Sequence, residues 1–481
     1  MSNPQQTHPP AQPDSRRWWA LALLCGAFFM VILDANIVVV ALPSIDEALS
    51  FSEQGLQWVI SAYAITFAGL LLLGGRAADL LGRRRVFMVG LLFFTLASLL
   101  CGFAWSSDAL IGARAFQGIG AAIMTPTALS IISTTFEGAE RNKAFAIWGM
   151  NGAFGATAGY LIAGPIVDGP GWEWIFFINV PVGLAALALS PVLVRESRAA
   201  LTRRSYDPAG ALTITGALVL LVYALVEAPD AGWGSLRTIL LFAASAGLLA
   251  AFALIESRHR APLMPLRLLR SRTLVGANLV MLTFGTVAFG MPFILTQYTQ
   301  QVLGWSALEF GTSFVVTPIA AAAGMMVAQA AVLKVGFRSV AATGMALLGA
   351  GSLLLTQVSV GGSYFGDIFF GLLVFGAGIG PVFATVTIAA LADVAERESG
   401  VVSGLSNSAF QIGGALGVAI LSTVAVSRSE DYQAANAGAN PLVVLTEGFQ
   451  SAFVACVVLA GIGVALALPL LGRPRQAREP L

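Results

Sequence analysis

Asp34 stands in the middle of an apolar run, LDANIVVVALP. A carboxyl group is costly to keep ionised in lipid, and burial favours its protonated form. Such a group can load a proton from one side of a barrier and release it to the other. It could equally be a neutral acid that does no more than hydrogen-bond a neighbouring helix. Arg114 stands in a second apolar run, LIGARAFQGIGAA. An arginine at the centre of a membrane helix costs about 2.5–3.5 kcal/mol on insertion scales, so it needs a partner or a wet cavity. Gln117, Gly118 and Ala121 follow at i+3, i+4 and i+7, sharing the face of Arg114 in a polar, close-packing stripe. The alternative is an arginine that fixes helix contacts and touches neither proton nor substrate. Glu227 is the one other acid placed inside an apolar segment, near its end, as an accessory acid or as a residue at the membrane interface.

Two further segments are ordered beyond chance. GRAADLLGRRR joins the second and third apolar runs and carries Gly75, Asp79, Gly82, Arg83, Arg84 and Arg85. The pattern Gly-x₃-Asp-x₂-Gly-Arg-Arg predicts a tight turn whose Asp pairs with a nearby Arg or a helix N-terminus. GAFGATAGYLIAGPIVDG holds Gly155 and Gly159, a small-x₃-small face for close helix packing, followed by Gly164 and Pro165. Pro165 removes a backbone hydrogen bond and bends the helix end.

The elements that position these residues follow from composition. Only 11% of the 481 residues are charged and 57% are hydrophobic, with a mean hydropathy of +0.82. A soluble protein carries about a quarter charged residues; helices in lipid need no such polar cover. At about 20 apolar residues per crossing, the chain predicts fourteen transmembrane helices, the first three over 17–42, 56–74 and 86–104 and the last two over 400–427 and 448–471. Basic residues test that count. With the N-terminus cytoplasmic, all but Arg114, Arg237 and Arg428 of the 26 basic residues fall in the inner segments, as the positive-inside rule requires. An even count with both termini inside is therefore expected. The two longest inner loops divide the chain into a tail over 1–16, a six-helix half over 17–195, a linker over 196–272 with two extra helices, a second six-helix half over 273–472, and a tail over 473–481. Paired halves around a central site are a recurrent transporter plan.

Several classes are excluded. The net charge of +1 gives no footprint for nucleic acid, and Cys25, Cys101 and Cys456 all lie in apolar runs, against disulfides or a metal site. His8 and His259 lie outside the runs, so no histidine serves as a relay or catalyst in the membrane, and no Walker-type Gly-Lys-Ser/Thr sequence is present. The expectation is a transporter without enzymatic activity or cofactor.

Together these segments resemble the major facilitator superfamily, and within it the fourteen-helix branch of drug–proton antiporters. GRAADLLGRRR resembles the superfamily's loop motif, and LIGARAFQGIGAA its fourth-helix motif with Arg114, Gln117, Gly118 and Gly120. LDANIVVVALP, WEWIFFINVPVG and NSAFQIGGALGVAIL resemble signatures of the branch. The resemblance implies alternating access, with Asp34 as coupling acid, Arg114 as its electrostatic regulator, and Asp79 with Arg83 stabilising the state closed to the cytoplasm. It adds a gating role for the Gly155, Gly159, Gly164 and Pro165 segment. Departures are Tyr160 and Asp168 where the fifth-helix motif has Gly, and Glu173 and Phe410 where Arg is usual. The implied protein is a monomer in a bacterial cytoplasmic membrane that exports small lipophilic drugs or antibiotics against protons. A proton-linked importer or symporter of a small metabolite is the alternative, and a membrane enzyme or receptor a more distant one.

Overall fold

The computed structural model describes residues 16–51, 55–197, 207–258, 266–391, 394 and 399–471. Within them fourteen helical segments follow one another. The first six are α1 (Arg16–Leu49), α2 (Gln57–Leu81), α3 (Arg83–Gly102), α4 (Ser107–Thr135), α5 (Gly138–Val167) and α6 (Trp174–Leu193). An intervening pair is α7 (Pro208–Ala231) and α8 (Leu236–Arg258). The last six are α9 (Arg272–Gln301), α10 (Ala307–Val332), α11 (Lys334–Leu355), α12 (Tyr364–Leu391), α13 (Ser399–Ala435) and α14 (Pro441–Leu470). Eleven are long and apolar enough to cross a membrane by length and composition, and the described parts of α2, α5 and α7 hold shorter apolar stretches. The chain is an all-helical, multi-pass membrane protein with two six-helix halves and an inserted pair.

Several helices outrun the apolar segments read from the sequence. α1 continues through Pro43 to Leu49, taking in Asp46 and Glu47, and α13 runs on to Ala435. Hydropathy marks the part of a helix that sits in hydrocarbon, whereas its hydrogen bonding can continue into the polar interface. The greatest change is at the expected loop between the second and third runs. α2 and α3 absorb nearly all of it, leaving Gly82 alone as the junction. Gly82 has φ 111°, a left-handed value that favours glycine, and Gly336, in the first turn of α11, makes the matching break at φ 80°. The second half thus keeps the turn glycine in LKVGFR though its neighbours differ.

Glycines set how closely the helices approach. Gly155 and Gly159 seat α5 on α1, where a Cβ would come within 3.1 Å of Ile32 and 3.0 Å of Asn36. The halves meet at one end of the bundle. A Cβ on Gly164 of α5 would overlap Leu308 of α10, and one on Gly311 would overlap the Tyr160 carbonyl. Asp168 accepts a hydrogen bond from the Leu308 amide at 3.1 Å, and Gln300 donates to the Val40 carbonyl at 3.2 Å. One apolar cluster spans both halves here, joining Leu33–Ile45 of α1 to Phe310 and Phe314 of α10. At the other end of α1, the buried residues from Ala20 to Val31 belong to a second cluster whose described members all lie in the first half. α7 of the inserted pair lies against the seam between α2 and α13, and α8 packs on α7. Thr215 of α7 donates to the Gly69 carbonyl of α2 at 2.8 Å, and Ser408 of α13 donates to the adjacent Ala68 carbonyl at 3.1 Å.

Candidate functional site

Asp34 is fully buried, and its carboxylate gathers donors from two other helices. Arg114 of α4 donates to Oδ2 at 2.5 Å. Oδ1 accepts from Gln117 of α4 at 2.8 Å and from Asn179 of α6 at 2.9 Å. Ser98 of α3 ties these amides together, 2.9 Å from Gln117 and 3.4 Å from Asn179. Cys101, one turn further along α3, lies 3.8 Å from the Gln117 oxygen. Four helices thus converge on one carboxylate.

Arg114 is only 1% exposed and is accommodated by more than its counter-charge. Its Nε donates to the Val59 carbonyl at 3.0 Å, and it also donates to Gln117 Oε1. The guanidinium carbon lies 4.4 Å from the ring centre of Tyr63 and 5.8 Å from that of Phe176, so two aromatic faces bracket the cation. Removing one member of such a pair strands the other charge in the interior, which costs about 3–5 kcal/mol.

The sequence pointed to Asp34, Arg114 and Gln117, and the structure brings the three together. Gly118 and Gly120 share their helix but serve packing. A Cβ on Gly118 would overlap α2 at Thr66 and Tyr63, and one on Gly120 would come within 2.8 Å of Phe94 in α3. Asn179, Ser98, Tyr63 and Phe176 were not singled out. Asn179 did carry a signal, as a lone amide in the apolar IFFINVPVG. Tyr63 and Phe176 carried none, because aromatic residues are ordinary in membrane segments.

The other expected residues lie elsewhere. Arg83 Nε donates to Ser130 of α4 at 2.6 Å, and its backbone amide donates to the Ser197 carbonyl at 3.0 Å. The Arg84 amide bonds Glu196 at 3.2 Å, and the Arg84 and Arg85 guanidinium groups lie 3.9 and 3.8 Å from the same carboxylate. The motif therefore fastens the α2–α3 junction to α4 and to the end of α6. Gly75 faces Pro126 of α4. The Asp79 side chain lies outside the described residues, as do His8 and His259. Gly155, Gly159, Gly164 and Pro165 line α5, the first two on α1 and Gly164 on α10. Glu227 pairs with Arg237 of α8 at 2.7 Å, and Arg237 also meets the Tyr223 hydroxyl at 2.9 Å, an arrangement of a helix-end surface.

The second half offers apolar surfaces. Phe410 of α13 stacks on Phe284 of α9 at 5.3 Å between ring centres and meets Phe289 and Phe383 at 5.3 and 6.1 Å. A hollow of about 270 Å³ between α10, α11 and α12 is lined by Ala328, Val332, Phe337, Ala384 and Ile388, with Gln329 and Thr385 as its polar groups. No cluster of metal-ligating side chains occurs among the described residues.

The sequence profile described as Major Facilitator Superfamily matches residues 24–418. The chain belongs to that superfamily. This Major Facilitator Superfamily transporter is 38% identical to the puromycin resistance protein pur8 of Streptomyces alboniger over 468 residues, covering 95% of this chain and 91% of that one. It is 35% identical to the tetracenomycin C resistance and export protein of Streptomyces glaucescens, covering 86% and 77% of the two chains. Among solved structures, the bacterial homologue of the human lysosomal transporter Spinster, described as inward-facing and unoccupied, superposes with a TM-score of 0.66 at 17% identity, covering 95% of this chain and 97% of that one. At that identity the likeness speaks for the fold alone.

Proposed function

We propose that this transporter exports small lipophilic molecules, antibiotics among them, across a bacterial cytoplasmic membrane in exchange for protons, acting as a monomer without a cofactor. The observation that carries the reading is the Asp34–Arg114 ion pair, buried at the meeting of four helices of the first half. A proton on Asp34 removes the counter-charge of Arg114 and one acceptor for its donors, so the packing of α1, α3, α4 and α6 changes with that proton. Asp34 is the coupling acid and Arg114 the cation that senses its state. Relatives named for puromycin resistance and tetracenomycin C export support export as the direction. The phenylalanines around Phe410 and the apolar hollow of the second half support a substrate recognised by shape and apolar contact. One proton entering at ~150 mV supplies ~3.5 kcal/mol, enough for a gradient of about a few hundredfold.

The arginine distribution supports both termini on the cytoplasmic side. In that orientation the joined ends of α5 and α10 face outward, and the structure is the outward-closed state. Asp79 and Arg83 then lie at the inner end, where the opposite closure would engage them.

Efflux of puromycin and of a lipophilic dye from a pump-deleted bacterium tests the reading, with and without a protonophore. The native chain should lower accumulation of at least one compound, and both the protonophore and Asp34→Asn should abolish that export at equal expression. Export that survives Asp34→Asn would move the coupling acid elsewhere. Uptake in place of efflux would reverse the direction.

A further inference from the structure

Tyr63 is 3% exposed, and its hydroxyl has no hydrogen-bond partner among the described residues. Its ring nevertheless covers the Arg114 guanidinium at 4.4 Å. A buried hydroxyl without a partner is costly in the state that leaves it so, and a phenylalanine would supply the same ring face. The titratable groups gathered here are Asp34 from α1, Tyr63 from α2, Cys101 from α3 and Arg114 from α4, while α6 contributes Asn179 and Phe176, which do not titrate. When Asp34 is neutral, Arg114 remains charged, since a guanidinium does not give up its proton in a protein. It keeps the Val59 carbonyl and Gln117 but loses its anion.

We infer that the Tyr63 hydroxyl oxygen is the alternative acceptor for Arg114, taken up when Asp34 is protonated. Tyr63 is then a positioning residue. It acts through Arg114, keeping the cation buried and hydrogen-bonded while Asp34 carries the proton. The ring face serves in both states, and the hydroxyl only in the protonated one. This rests on reading Asp34 as the coupling acid, yet its test does not depend on transport.

The test is a double-mutant cycle on the thermal unfolding of the purified full-length chain, with Asp34→Asn standing for the protonated state. In the native background, Tyr63→Phe should leave Tm unchanged or raise it, because it removes an unpartnered polar group. In the Asp34→Asn background the same change should lower Tm by roughly 2–4 °C, as the cation loses the acceptor that replaces the carboxylate. Tyr63→Leu, which removes the ring face as well, should lower Tm in both backgrounds. Asp34→Ala provides a second neutral background should Asp34→Asn not yield folded protein. An equal effect of Tyr63→Phe with and without Asp34 would overturn the inference. A non-additive cycle alongside protonophore-insensitive export would instead leave the Arg114 switch standing and remove proton coupling.

Discussion

Asp34 accepts hydrogen bonds from Arg114, Gln117 and Asn179 at once. Asn179→Ala deletes one of them, and a hydrogen bond to a charged group contributes about 1.5–3 kcal/mol. Losing it should lower the unfolding temperature of the purified chain by a few degrees. An unmoved unfolding temperature would show that the carboxylate replaces this donor. Arg114→Lys tests the same pocket from the cationic side. A lysine keeps the charge but loses the flat group that lies between Tyr63 and Phe176 and reaches Val59 and Gln117. Transport should fall at least tenfold at unchanged membrane insertion. Asp34 and Arg114 were legible in the sequence because charges inside apolar runs stand out. Asn179 and Ser98 were hard to see, since neutral polar groups are common in membrane helices and matter only once they face one another.

At the scale of elements, α4 is held from both sides by glycines that admit neighbouring backbone. Gly118 faces α2 and Gly120 faces α3, while a Cβ on Gly112 of the same helix would meet nothing within 4 Å. Gly120→Ala should therefore force α3 and α4 apart. Overpacking of this kind costs about 1–3 kcal/mol and should lower the unfolding temperature by a few degrees. Gly112→Ala should leave it unchanged. Equal responses in the two variants would mean that α4 adjusts freely. The sequence announced close packing through its glycine spacing in α5 and α4. It did not say which glycine meets which helix, because a helix rotates its face by about 100° per residue and a single-residue error redirects the contact. The motif around Gly82 shows the same limit. Its order was visible, but the partners of Arg83 and Arg84 come from Ser130, Glu196 and Ser197, more than 40 residues away along the chain.

For the whole molecule, the decisive contact joins the two halves. Tyr160 and Asp168, the two positions at which α5 departs from the family pattern, both lie at the seam with α10. Tyr160 meets Phe314 in a tilted contact at 4.2 Å between ring centres, and Asp168 accepts from the Leu308 amide. If the halves exchange access by rocking, this seam must open in each cycle. Asp168→Cys combined with Leu308→Cys, joined by a short bifunctional thiol reagent with a reducible spacer in a chain whose three native cysteines are replaced by alanine, should hold it shut. Export should stop on cross-linking and return on reduction. Persistent export in the cross-linked chain would show that the seam is static.

The sequence by itself determined the membrane class, the all-helical multi-pass plan and the presence of an acid and an arginine in the first half. These follow from composition and hydropathy, which add up along the chain residue by residue and need no knowledge of neighbours. The tertiary structure decided that Asp34 and Arg114, 80 residues apart, share a hydrogen bond, and that Asn179, 145 residues from Asp34, completes the shell. It also decided that Tyr63 covers the cation and that α5 closes on α10. Such pairings depend on how each helix is rotated and how closely it crosses the next. That geometry is set jointly by the glycine contacts of several helices, and no single segment of the chain contains it.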